Sequence, residues 1–308
     1  MSSLTKALYN YLEIRRELGF SLLNVEKFLR NFVNFLESRN ATYITVELAL
    51  QWATFPKDAQ PSQWGHRLNI VRRFAEFQHT IDSRNEVPPK RLLPFHYKRK
   101  MPHVYSPLEI ISVLKATQNL KGKRGLRSRT HYTIFGLLAV TGMRISEAIN
   151  LDDTAVNLSE GILTIHKTKF GKTRLVPIHG SVQRELESYK AFRDSAYPNP
   201  VSPSFFIGEL GKRLTDSGVR GNFATCSCLA GLREPAKSYG HGPRIHDLRH
   251  TFAVKTLIRW YREGKDVERE LPKLSTYLGH NKPSHTYWYL TAVPELMQYA
   301  VARINNEQ

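Results

Sequence analysis

The chain has 308 residues, with 45 Lys and Arg against 27 Asp and Glu, and a formal charge of +18. Its 41% apolar and 11% aromatic content supports buried cores in about two domains and excludes a disordered basic tail. Cys226 and Cys228 are too few for a disulfide scaffold, and the longest strongly apolar stretch, residues 134–140, is too short to span a membrane.

The excess charge is spread along the chain. Residues 1–100 carry a net +7 and the remainder +11. Two basic globular halves point to a protein that grips a polyanion from two sides, rather than one with a loose basic tail. The amino terminus has no apolar signal core, so the expected setting is soluble, reducing and cytoplasmic.

In chain order, the first hundred residues read as helices. Tyr9, Leu12 and Leu18 begin an amphipathic pattern, and Leu23, Val25, Phe28, Leu29, Phe32, Phe35 and Leu36 continue at helical spacing. Thr45 is placed to cap a helix through Leu48 and Trp52, and Ser62 another carrying Leu68, Ile70, Val71, Phe74 and Phe77. These form a small helical bundle over residues 1–86. Residues 87–104 hold Pro88, Pro89, Pro94 and Pro102 among basic residues and read as an extended linker.

The second part, residues 105–308, is mixed. Residues 108–120 read as a helix, and residues 129–151 as two helices broken at Thr141-Gly142. Residues 161–167 and 173–178 alternate as strands around the turn-like Phe170-Gly171-Lys172, which predicts a β-hairpin. Helices resume at 182–192, 246–260 and beyond, with a last one at 294–304 that carries Tyr299. The fold class expected is mainly α with a small β-hairpin or sheet.

Four separated segments carry chemistry: Thr141 to Ala148, His166 to Pro177, His246 to Ala253, and Leu278-Gly279-His280 with Tyr289 nine residues on. His246 and Arg249, at i and i+3, share a helix face. Arg144 and Arg249 suit the two nonbridging oxygens of one phosphodiester, because a guanidinium is a planar fork that stays charged. Fixed cations there stabilise the charge that gathers during phosphoryl transfer, the role a metal ion would otherwise take. A tyrosine can attack phosphorus, and a hairpin lysine can protonate the leaving sugar oxygen. No metal or cofactor is called for.

In their order and context these segments resemble the tyrosine recombinase (phage integrase) family, whose motif runs Arg, hairpin Lys, His-x-x-Arg, His or Trp, and Tyr. The resemblance implies the catalytic set Arg144, Lys169, His246, Arg249, His280 and Tyr289. Lys169 is chosen over Lys167 and Lys172 because the family's acid lysine lies five residues before the arginine of Arg-Leu-Val-Pro. Tyr289 is chosen over Tyr277, Tyr287 and Tyr299 by its spacing from His280. Tyr287 and Tyr289 stand about 200° apart on a helix, so only one of them faces the site. Glu147 reads as a support for an arginine, and His250 as a structural residue on a different face from His246.

The family also implies an amino-terminal core-binding (SAM-like) domain and a C-shaped two-domain clamp on double-stranded DNA. It implies a covalent 3′-phosphotyrosine, strand exchange in a homo-tetramer, and a nucleoid-associated protein. Tyr289-Leu290-Thr291-Ala292-Val293-Pro294 resembles mobile-element integrases more than housekeeping resolution enzymes. Weighed beside this reading are a type IB topoisomerase with the same chemistry and a catalytically dead DNA-binding relative.

Overall fold

The computed structural model describes residues 3–20, 22–94, 101–166, 173–235, 242–280, 284–292 and 296–298. The chain divides into two compact units, Met1–Lys100 and Met101–Gln308.

The first unit is built from α1 (Ser3–Glu17), α2 (Leu23–Glu37), α3 (Val46–Thr54) and α4 (Pro61–Ile81). The helical periodicity places Leu8, Leu12, Leu29, Phe32, Leu36, Trp52, Val71 and Phe74 in one core. Trp52 meets Phe32 edge-on at 5.2 Å and donates from Nε1 to Asn31 Oδ1 at 2.9 Å, so the indole is both packed and satisfied. Thr45 caps α3 as expected, its Oγ1 accepting from the Leu48 N–H at 3.2 Å. Helix α4 starts earlier than the Ser62 cap predicted. Gln60 is the cap residue and Pro61 opens the helix, where a proline has no amide hydrogen to waste. After α4 the chain returns to the start of α3, where Asn85 Oδ1 accepts from Ile44 N–H at 2.9 Å.

The second unit opens with α5 (Pro107–Ala116), capped by Ser106 and Glu109, then α6 (Leu126–Thr141) and the short α7 (Ile145–Ile149). Three strands follow: β1 (Val156–Asn157), β2 (Ile162–Ile165) and β3 (Arg174–Pro177). They pair antiparallel in the order β1-β2-β3, with Leu163 opposite Val176 and Ile165 opposite Arg174. The hairpin expectation is met by β2 and β3; β1, two residues long, was not foreseen. Helices α8 (Gly180–Ala196), α9 (Asp216–Leu229), α10 (Ile245–Arg262), α11 (Val267–Leu278) and α12 (Ser284–Ala292) complete the unit. Helix α9 was also unforeseen. The expected last helix, at 294–304, is described only at 296–298, and Tyr299 lies outside the described residues. None of the described helices is long and apolar enough to cross a membrane.

Two cores hold this unit. The larger joins Tyr105, Phe135, Leu138, Leu163, Val176, Phe205, Phe206, Phe223 and Leu248. The smaller joins Val254, Leu257, Leu271, Leu274, Leu278 and Tyr289. Helix α10 contributes to both, so it is buried on most of its circumference and fixes what it carries.

Two glycines set the site. Gly142 ends α6 at φ +60°, and a Cβ there would meet Phe252 Cδ1 at 2.6 Å. Gly279 ends α11 at φ +66°, and a Cβ there would meet Arg174 Nη1 at 2.6 Å. Each lies in the left-handed region that favours glycine, and each sits one or two residues before Arg144 or His280. Gly142→Ala should destabilise the chain by about 2 kcal/mol or more, combining left-handed strain with overpacking. Urea unfolding would measure it, and a change under about 0.5 kcal/mol would contradict the assigned constraint.

Candidate active site

The site begins with Glu147. Its carboxylate accepts from the Arg144 backbone N–H at 2.8 Å and from Arg144 Nη1 at 2.8 Å. It also accepts from Arg174 Nη1 at 2.9 Å and Nη2 at 2.8 Å, a two-pronged fork from β3. Burial alone would raise the Glu147 pKa, but the Arg174 and Arg144 hydrogen bonds and the Arg174 charge outweigh it, and the pKa falls to about 2. The carboxylate is therefore always ionised at neutral pH. The support expected of Glu147 serves two arginines rather than one.

The two expected phosphate-holding arginines meet at a single turn. Arg144 Nη2 donates to Gly279 O at 2.8 Å. Arg249, 3% exposed, donates to Leu278 O at 2.7 Å and back to Gly142 O at 2.8 Å. Arg174 Nε donates to Tyr277 O at 3.0 Å. Three consecutive carbonyls at the end of α11 thus hold three guanidinium groups that arrive from the N-cap of α7, from α10 and from β3. Burial, and then the Arg144 charge, lower the Arg249 pKa to about 10, which leaves it protonated at pH 7. The Arg144 side chain keeps 30% of its surface exposed, so the cluster has an open side.

The turn delivers His280. Its Nδ1 lies 2.8 Å from Thr286 Oγ1, and its ring stacks on Tyr289 with centroids 6.4 Å apart. Tyr289 is 1% exposed, on the inner face of α12. Tyr287 on the same helix is exposed, in line with the angular argument that separated the two. His246 stands in the first turn of α10 with an exposed ring edge. Surrounding protein, then His250, then the Arg249 charge all oppose protonation, so its pKa falls below the ordinary 6.5. The exposed edge limits the size of that shift; its direction leaves the imidazole neutral at pH 7.

Of the expected residues, Arg144, His246, Arg249, His280 and Tyr289 are gathered within the second unit. Lys169, like Lys167 and Lys172, lies outside the described residues. Two further residues enter. Arg174 completes the Glu147 cluster. His250, expected on another face from His246, is on the same one: four residues advance a helix by about 400°, a net 40°. The two rings meet edge to face at 4.8 Å, and His250 Nδ1 is 3.0 Å from Tyr289 Oη. A cavity of about 380 Å³ lined by Arg127, His131, Lys212, Arg213 and Asn222 holds none of these groups. The arginine cluster, open only along the Arg144 side chain, lines no part of that cavity. Among the described residues no group of three His, Cys, Asp or Glu is placed to hold a metal ion.

Interlocked guanidinium groups beside three histidines and a tyrosine are the set that phosphodiester chemistry was expected to require. The description "Phage integrase family" matches residues 108–295. A putative integrase/recombinase of Sinorhizobium fredii, y4rB, is 45% identical over 308 residues, covering 99% of this chain and 98% of its own. The tyrosine recombinase XerC of Herpetosiphon aurantiacus is 30% identical, covering 91% and 87%. Among solved structures, the Tn1549 transposon integrase in complex with circular intermediate DNA aligns with TM-score 0.64 at 18% identity, covering 97% and 99%. XerH in its post-cleavage complex aligns with TM-score 0.61 at 18% identity, covering 91% and 77%. The chain belongs to the phage integrase family, the tyrosine recombinases.

Two stability predictions arise here. Glu147→Ala strips a buried carboxylate from two guanidinium groups and should cost about 3 kcal/mol in chemical denaturation; a loss below about 1 kcal/mol would show that the cluster holds without it. The second concerns His131, which is buried. Its Nδ1–H donates to Arg127 O at 2.7 Å, and its Nε2 accepts from Asn222 Nδ2 at 2.7 Å. Burial lowers its pKa from 6.5. The unfolded chain therefore takes up a proton that the folded chain refuses. Stability from the neutral ring is complete above about pH 6.5 and is lost as pH falls below it. Tm should drop between about pH 7.5 and pH 5.5, and drop less in His131→Gln; an equal drop in both proteins would exclude His131 as the cause.

Proposed function

We propose that the chain cuts and rejoins double-stranded DNA at a specific site through a covalent 3′-phosphotyrosine at Tyr289. The observation that carries this is the lock of Arg144 and Arg249 onto successive carbonyls of the Leu278-Gly279 turn, with His280 and Tyr289 stacked beside it. In this reading the open side of the arginine pair receives the nonbridging oxygens of the scissile phosphate. Their rigidity means little reorganisation accompanies the growth of charge in the transition state. His246 and His280 donate hydrogen bonds at the phosphate, and Lys169 protonates the 5′-oxygen as it leaves. The P–O bond to Tyr289 keeps the energy of the broken bond for rejoining.

The remaining positive charge serves grip. Most Lys and Arg on such a surface meet backbone phosphates and carry no sequence information, and binding falls steeply with salt. We assign residues 1–86 to a core-binding domain, 87–104 to the linker and 105–308 to the catalytic domain, each contributing basic residues that bind DNA. Strand exchange takes place in a homo-tetramer on the nucleoid, moving a mobile element.

The test uses a suicide duplex, nicked so that the cut strand cannot rejoin. Wild type should form a covalent adduct and Tyr289→Phe none; an adduct with Tyr289→Phe, or none with wild type on its native site, defeats the reading. Lys169→Ala should lose cleavage of the ordinary phosphodiester and regain it when a sulfur replaces the bridging 5′-oxygen, because a thiolate leaves without an acid. If Lys167→Ala or Lys172→Ala shows that rescue instead, the acid is reassigned within the hairpin.

A further inference from the structure

We propose that His250 takes the hydroxyl proton of Tyr289 during strand cleavage, a reading that rests on the phosphotyrosine chemistry above. A phenol near neutral pH is a poor nucleophile and needs a base or strongly cationic surroundings. The Tyr289 hydroxyl has a base within hydrogen-bond reach: His250 Nδ1, at 3.0 Å. Candidate bases are judged by geometry first, at about 2.6–3.2 Å from the proton they remove.

The pair is held rigidly. His250 and Tyr289 are 5% and 1% exposed, and their rings pack edge to face at 5.4 Å. Trp288 closes another side of His250 at 5.7 Å. Among the described residues, His246 meets the ring of His250 edge to face at 4.8 Å, and its side chain stays exposed toward an incoming phosphate. Helix α10 also carries Arg249 as the residue next to His250, so one buried helix fixes both the guanidinium and the base. A phosphate held by Arg249 therefore approaches the hydroxyl along the same helix that holds its base.

The step balances as follows. Neutral His250, with its ring proton on Nε2, accepts the Tyr289 Oη–H at Nδ1. The bond from Oη to phosphorus forms, the bond from phosphorus to the 5′-oxygen breaks, and the proton passes to Nδ1. The 5′-oxygen leaves with a proton from the hairpin acid. In rejoining, the imidazolium returns the proton to the departing phenolate. His250 thus touches a reacting atom and serves as a catalytic residue in its own right.

The experiment measures single-turnover adduct formation on the nicked duplex with wild type and His250→Asn. The Asn amide oxygen can still accept the hydrogen bond but cannot hold the proton at neutral pH. His250→Gln serves as the second variant should the first fail to fold, and thermal melting and duplex binding are compared with wild type. The expected result is a fall in cleavage rate on the order of 10²-fold, with binding retained. Placing 3-fluorotyrosine, a more acidic phenol, at position 289 should recover much of that loss in the variant and little or nothing in wild type. Cleavage by His250→Asn at the wild-type rate overturns the proposal. So does a slow variant in which fluorotyrosine changes both proteins by the same factor, since that marks a packing role. A wild type that forms no adduct at all would instead remove the underlying recombinase reading.

Discussion

The carboxylate of Glu147 lies between two guanidinium groups, and the rest of the site is arranged around that contact. Arg144, Arg174 and Arg249 stand close enough that, without an anion, they would repel one another in a poorly solvated place. Glu147 offsets one charge, accepting a guanidinium fork from Arg174 and a bond from each of the Arg144 Nη1 and backbone N–H groups. Three guanidinium groups against one carboxylate leave the cluster cationic. Burial is the main cause that lowers the Arg249 pKa, and the neighbouring Arg144 charge lowers it further. A bound phosphodiester would relieve the same repulsion, so the free protein holds a charge arrangement that a phosphate completes.

The backbone at the end of α11 gives this arrangement its geometry. Tyr277, Leu278 and Gly279 would leave their carbonyls as orphans of a helix terminus. Arg174, Arg249 and Arg144 take them in sequence. One helix end therefore aligns side chains from three elements and then passes directly to His280. Gly279 is required at that point because the Arg174 guanidinium occupies the space of a Cβ. The same logic holds at Gly142, whose carbonyl accepts from Arg249 and whose missing side chain admits Phe252.

Much of this was legible in the sequence, and the gaps have physical causes. Helices α2 to α4 declared themselves because their apolar residues recur at helical spacing; of the Tyr9, Leu12 and Leu18 pattern expected to open α1, Leu12 is buried while Tyr9 is exposed and Leu18 lies past the helix end. Helix α9 did not, since Gly218, Gly221 and the Cys-Ser-Cys run are weak helix formers; burial of Val219, Phe223 and Cys226 holds it. Strand β1 is too short to alternate visibly. In the site, motif context marked Arg144, His246, Arg249, His280 and Tyr289 as a set. Arg174 escaped because its partner is 27 residues away in the chain and the contact is made by the fold. His250 was missed although its i+4 spacing from His246 was there to be read; its role depends on Tyr289, 39 residues further on.

The central claim is that these groups converge on one nucleophile. The most direct measurement is to trap the covalent DNA adduct of the wild-type protein, digest it with protease and nuclease, and locate the nucleotide-bearing residue by mass spectrometry. The account predicts a 3′-phosphonucleotide on Tyr289. The same modification on Tyr277, Tyr287, Tyr299 or a serine would contradict it.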